Sequence, residues 1–147
     1  MIGTARVFFV GSVAFGLLGM LLGLAMAIRQ DHSAMPAHAH ILVIGWLSFA
    51  VFGLFYHLFP TAAASVAARI HCWLAATAAP VLFIAVYLVV TGNTAVEPLA
   101  AISSIAYALS FLAFAWAAWP VLMQNGRQSE RAAIEDSSGD LIANAQN

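Results

Sequence analysis

Between residues 1 and 126 this 147-residue chain carries five charged side chains: Arg6, Arg29, Asp31, Arg69 and Glu97. A water-soluble domain covers itself with about a quarter charged residues, so a stretch this bare cannot face water on all sides. The other charges, Arg127, Glu130, Arg131, Glu135, Asp136 and Asp140, crowd the C-terminal end. Over the whole chain 63% of residues are apolar and 7% charged, which reads as an integral membrane protein rather than a soluble fold.

The same composition removes several function classes. There is no lysine and the net charge is −1, so nucleic-acid binding by phosphate neutralisation has no footprint. The single cysteine, Cys72, excludes an intrachain disulfide framework and any CxxC site. No glycine-rich phosphate loop or GxSxG elbow is present.

Four apolar runs are long enough to cross a hydrocarbon core, which takes about 20 residues of helix. They are predicted at residues 7–28, 37–59, 70–90 and 99–123. The expected fold is therefore all-α, a four-helix membrane bundle over residues 1–123, followed by a polar tail at 124–147. The first run is longer than a signal-peptide core and no A-x-A site follows it, so a retained helix is expected. Pro36 suits a helix start, where its missing N–H has no intrahelical partner. Pro60-Thr61 ends the second run, and Thr91-Gly92-Asn93-Thr94 with Glu97-Pro98 forms a turn. Pro80 and Pro120 fall inside spans, where neighbouring groups can re-satisfy the freed carbonyls. In the tail, Ser137-Ser138-Gly139 is expected to break any helix begun at Ser129–Glu135.

Arginine sets the orientation. Arg6, Arg69, Arg127 and Arg131 fall on one side and Arg29 on the other. Both termini are expected in the cytoplasm, in a multi-pass protein of the cytoplasmic (inner) membrane.

Histidine in a membrane interior marks function more often than structure. The second run holds His38, His40 and His57; His71 opens the third, and His32 lies in the first loop. His38 and His40 are two positions apart, so on a regular helix their imidazoles leave at about 200° to each other. Such a pair does not chelate one ion. It suits a helix standing between two sites and giving one axial ligand to each, and neutral imidazole is a strong ligand for haem iron. Gly45, seven residues after His38 on nearly the same face, would leave room for a flat macrocycle. The alternative is a pair of interfacial histidines hydrogen-bonded near the membrane surface. His57 lies about 28 Å further along the helix than His38, at the end from which His71 starts the next run. A second metal site from His57 and His71, with Cys72, would suit zinc or copper; ordinary interfacial hydrogen bonding, with Tyr56 and Trp73 as belt residues, is the competing reading.

From Ala37 to Pro60 the sequence AHAHILVIGWLSFAVFGLFYHLFP resembles the tenth helix of haem–copper oxidase subunit I, in the high-affinity, cytochrome c-linked branch. There an H-x-H is followed by a similar Leu-Gly-Trp, a Phe-Gly, and a Tyr ahead of Pro. The resemblance implies that His38 and His40 are axial ligands of haem b, one on each helix face. The family's subunit I has twelve helices in three arcs of four, so a homotrimer of this four-helix chain would rebuild that plan, with haem held between His38 of one copy and His40 of the next. Closed cyclic symmetry permits such repeated interfaces. The oxidases' copper site needs a His-His pair that this chain lacks, and no Glu or Lys lies within a span, so oxygen reduction is not implied. The function expected is a membrane b-type cytochrome exchanging electrons with a quinol or a cytochrome; if catalytic, it would be a haem oxidoreductase. The competing classes are a gas- or redox-responsive haem protein with weak reductase activity, and a haem-free copper-binding or structural membrane protein.

The first run carries Gly11, Gly16, Gly19 and Gly23. Small residues at this spacing allow close helix approach, within the chain or between copies. Ser103, Ser104 and Ser110 are expected to bond carbonyls, and Trp46, Trp73, Trp116 and Trp119 to serve packing or the interface.

Overall fold

The computed structural model describes the backbone of residues 3–145 and the side chains of residues 3–123. Every regular element in it is helical. Four helices are long and apolar enough to cross a membrane: Thr4–Arg29, Met35–Leu58, Val66–Val90 and Thr94–Met123. This agrees with a multi-pass membrane protein, and the spans begin up to five residues earlier than the apolar runs alone place them.

The first span is one helix, α1 (Thr4–Arg29). It stops without glycine. Gln30 takes the left-handed conformation, φ 52°, and the N–H of Asp31 turns back to Met26 O at 3.2 Å, closing the last turn. The Asp31 carboxylate then accepts the Ser33 N–H at 2.9 Å. That hydrogen bond, helped by the hydroxyl of Ser33, holds the Asp31 carboxyl below its ordinary value.

The second span is not the regular helix that its hydrophobic run predicts. It begins as α2 (Met35–His40), with Pro36 in its first turn, widens into a π-helix at Ile41–Leu47 and returns to α as α3 (Ser48–Leu58). A seven-residue run of Ile, Leu, Val, Gly and Trp carries no periodicity that separates the two pitches. The widening follows from partners elsewhere. The Ser48 N–H reaches back five residues to Val43 O, and the Ser48 hydroxyl donates to the same carbonyl at 2.8 Å. Ile44 O, which an α-helix would give to Ser48, instead accepts the Tyr107 hydroxyl at 3.1 Å. Trp46 O accepts Ser12 Oγ at 2.9 Å.

After Phe59 comes a single turn, α4 (Pro60–Ala63). The third span, α5 (Val66–Val90), is opened by Ser65, whose hydroxyl accepts the Ala68 N–H at 3.0 Å. Gly92, at φ 107°, turns the chain after α5, and a short 3₁₀ turn at Thr94–Val96 leads into α6 (Glu97–Ala145). The expected break at Ser137-Ser138-Gly139 is absent: the backbone stays helical through it, because the Ala, Ile, Glu and Leu residues on either side are strong enough helix formers to carry it across. The side chains of the tail, Arg127 and Arg131 among them, lie outside the described residues.

The glycines of α1 explain the tightest packing. A Cβ on Gly11 would lie 2.9 Å from Phe49, one on Gly16 2.9 Å from Trp46, one on Gly19 2.5 Å from Leu42, and one on Gly23 2.8 Å from His38. The stripe is thus an antiparallel ladder within one chain, each glycine receiving one side chain of the second span. In exchange, Gly45 and Gly53 of that span admit Phe15 and the backbone of Phe9. Helix α6 is held differently, by aromatic reach: Phe114 meets Phe52 at 4.7 Å and Phe55 at 5.1 Å between ring centres. As expected, Ser103, Ser104 and Ser110 donate to carbonyls of their own helix. The core is aromatic and alanine-rich, built on Phe8, Phe49, Phe52, Tyr56, Ala75 and Ala79.

Candidate functional site

His38 and His40 sit in the last turn of α2, immediately before the π-helix. Both are half-buried. His38 points at α1, its Cε1 facing Gly23, and its Nδ1 lies 2.9 Å from Gly19 O. His40 Nδ1 lies 2.8 Å from Pro36 O, one turn back in its own helix. A carbonyl can only accept, so in each ring Nδ1 carries the proton and donates it. The tautomer is therefore fixed, and Nε2, the nitrogen with the free lone pair, has no hydrogen-bond partner among the described residues. Imidazoles that ligate metals are oriented in this way, the distal N–H bonded to a carbonyl while the other nitrogen is left to the metal. On this test of donor chemistry both residues fit an axial-ligand role.

Gly45 does not supply the expected space. Its missing side chain is occupied by Phe15, whose Cβ would lie 2.7 Å from a Cβ at position 45. A buried glycine next to a facing helix is filled by that helix, because close packing in the bundle leaves no slot. Any flat group on His38 or His40 must therefore lie outside the packed interior. Below His40 the second span presents Val43, Leu47, Val51 and Leu54, all exposed, as a continuous apolar face.

His57 and His71 are placed in different surroundings. His57 is exposed and lines a cleft of 660 Å³ with Thr4, Tyr56, Pro60 and Arg69. His71 is fully buried. It stacks on Phe8 at 4.7 Å, meets Phe52 at 4.5 Å edge to face, and bonds the Tyr56 hydroxyl through Nδ1 at 2.9 Å. Helical phase separates the pair: α3 turns Tyr56 inward and His57 outward. Among the described residues no group of three His, Cys, Asp or Glu side chains is arranged to hold a metal ion. Cys72, half-buried, is a free thiol. His32 remains exposed in the first loop.

Tyr56, read from the sequence as a belt residue, is instead 1% exposed and is half of a buried polar pair. Among the described residues His71 Nε2 has no hydrogen-bond partner. Position gives one signal for this pair: the two residues flank a short hairpin, Tyr56 near the end of one span and His71 near the start of the next. Trp46, Trp73 and Trp116 are exposed; Trp46 also covers Gly16.

Compared with family models, curated proteins and solved structures, the chain matches none. None of these comparisons links the chain to oxidase subunit I.

Proposed function

We propose that this chain is a membrane b-type cytochrome that holds haem through His38 and His40. The observation that carries the reading is the matched pair of Nδ1-to-carbonyl hydrogen bonds, at 2.9 and 2.8 Å, which leaves an unpartnered Nε2 on each ring. Haem, when bound, supplies reversible one-electron transfer, with a potential set by its axial ligands and burial. The chain's own part is to orient both imidazoles. Gly19 O and Pro36 O hold the protons on Nδ1, and Gly23 gives the His38 ring its place against α1.

Because Phe15 fills the space at Gly45, a haem held by these histidines would take its place at the periphery of the four-helix unit. A second copy of the chain covers that periphery best. The exposed Val43, Leu47, Val51 and Leu54 face continues from His40, and a cyclic trimer would set His40 of one copy near His38 of another. Electrons would pass to or from a quinol or a cytochrome in the cytoplasmic membrane, with both chain termini on the cytoplasmic side.

The absorption spectrum of the purified protein tests this directly. A sharp reduced α-band lost or altered in both His38→Ala and His40→Ala supports bis-histidine haem. A spectrum that shifts with carbon monoxide supports the gas-responsive class instead. The haem-free structural reading is favoured by the docking of His38 on Gly23, which gives that ring a packing role; it requires that no Soret band be found.

A further inference from the structure

The open cleft at the end of the bundle opposite the H-x-H pair is bordered by the start of α1, the end of α3, α4 and the start of α5. Its volume is 660 Å³, within the range of about 300–1,000 Å³ of small-molecule sites. The polar groups that line it are Thr4, Tyr56, His57 and Arg69, and no carboxylate is among them. The two acids of residues 3–123 stand at the other end of the spans, Asp31 in the loop after α1 and Glu97 at the start of α6. Arg69 is exposed, and among the described residues no carboxylate lies in the cleft to pair with it. Arg6, in the first turn of α1, adds a second cation to the same end. The rest of the lining is apolar: Ala5, Pro60, Ala63 and Ala64. A cleft with an arginine among its polar groups and with apolar walls, at the margin of long apolar helices, matches an anion carried on an apolar body.

We propose that this cleft binds the phosphate of an anionic phospholipid, with Arg69 and His57 facing the phosphate and the alanine and proline walls against the glycerol and upper acyl region. Basic pockets between membrane helices recognise acidic headgroups in this way. A lipid is favoured over free phosphate because a free ion would have no use for the apolar walls.

The full chain, reconstituted in nanodiscs of dioleoylphosphatidylcholine with a minor fraction of dioleoylphosphatidylglycerol, tests this by mass spectrometry of the lipid retained on extraction. The wild type is expected to enrich phosphatidylglycerol. R69Q is expected to lower that enrichment about fivefold, the factor one interfacial arginine carries. R69K should keep most of it, and R29Q, at the opposite end, should leave it unchanged. Arg69 makes no hydrogen bond through its side chain among the described residues, so both variants at this position should melt with the wild type. Equal retention of the two lipids overturns the proposal, as does an equal loss in R69Q and R29Q. Displacement of the bound lipid by millimolar inorganic phosphate also overturns it, in favour of a free-anion site.

Discussion

His71 and Tyr56 show how a single buried pair constrains its neighbours. The two share one hydrogen bond inside an aromatic cage, and among the described residues His71 Nε2 is left without a partner. Removing one member strands the other, which costs about 1–3 kcal/mol, whereas replacing both with apolar groups of similar shape is near neutral. Y56F and H71F should each lower the detergent melting temperature, and the Y56F/H71F double variant should recover most of the loss. If the double variant melts as low as the sum of the singles, the pair is not the unit described. Gly45 carries a second residue-scale expectation. An added methyl would meet Phe15 at its Cβ and Cγ, 2.7 and 2.8 Å away, at the root of the side chain where no rotamer change relieves it. G45A should therefore destabilise by about 1–3 kcal/mol, read as a lowered midpoint in thermal melting. G19A should cost less, because its nearest atom is the mobile end of Leu42.

At the scale of elements, the spans were legible because charge is so scarce: four long apolar runs without a charged side chain can be little else. The π-helix was not. It depends on Ser12 and Tyr107, which lie 34 and 63 residues away from the carbonyls they satisfy, and a local reading of Ile41–Leu47 contains neither. The use of the α1 glycines was half legible: their spacing announces close approach, but nothing in it says that Phe49, Trp46, Leu42 and His38 are the side chains received. Likewise the positions of His38 and His40 could be read, whereas the carbonyls that fix their tautomers could not, since Gly19 belongs to another helix. Y107F and S12A should each cost about 1 kcal/mol. If the π-helix sets the angle between His40 and the rest of the span, they should also shift the haem spectrum, which variants elsewhere on α6, such as I105V, should not do. The loop after α1 has its own signature. Asp31 is held below its ordinary carboxylate value by Ser33, so its contribution is present above the unfolded-state value and is lost as pH falls through the lowered folded-state one. D31N should melt slightly lower than the wild type at neutral pH and converge with it at acid pH, giving a flatter acid limb, the effect being small because the group is fully exposed.

For the molecule as a whole, two different kinds of packing give the four-helix unit its form. Glycines bring α1 and the second span together, while aromatic side chains join α6 to the second span. The interior so formed is filled, and haem binding is proposed at its rim, where His40 heads an exposed apolar face. That arrangement makes the proposed trimer and the haem interdependent: V51W, on the exposed face away from either histidine, should lower both haem content and oligomer mass in detergent. The most direct test of the central claim is the reduced-minus-oxidised absorption spectrum of the purified wild type beside H38A and H40A. The expected result is a sharp low-spin α-band in the wild type that both substitutions remove or shift; a wild type with no Soret absorption, or a band indifferent to both substitutions, would contradict it.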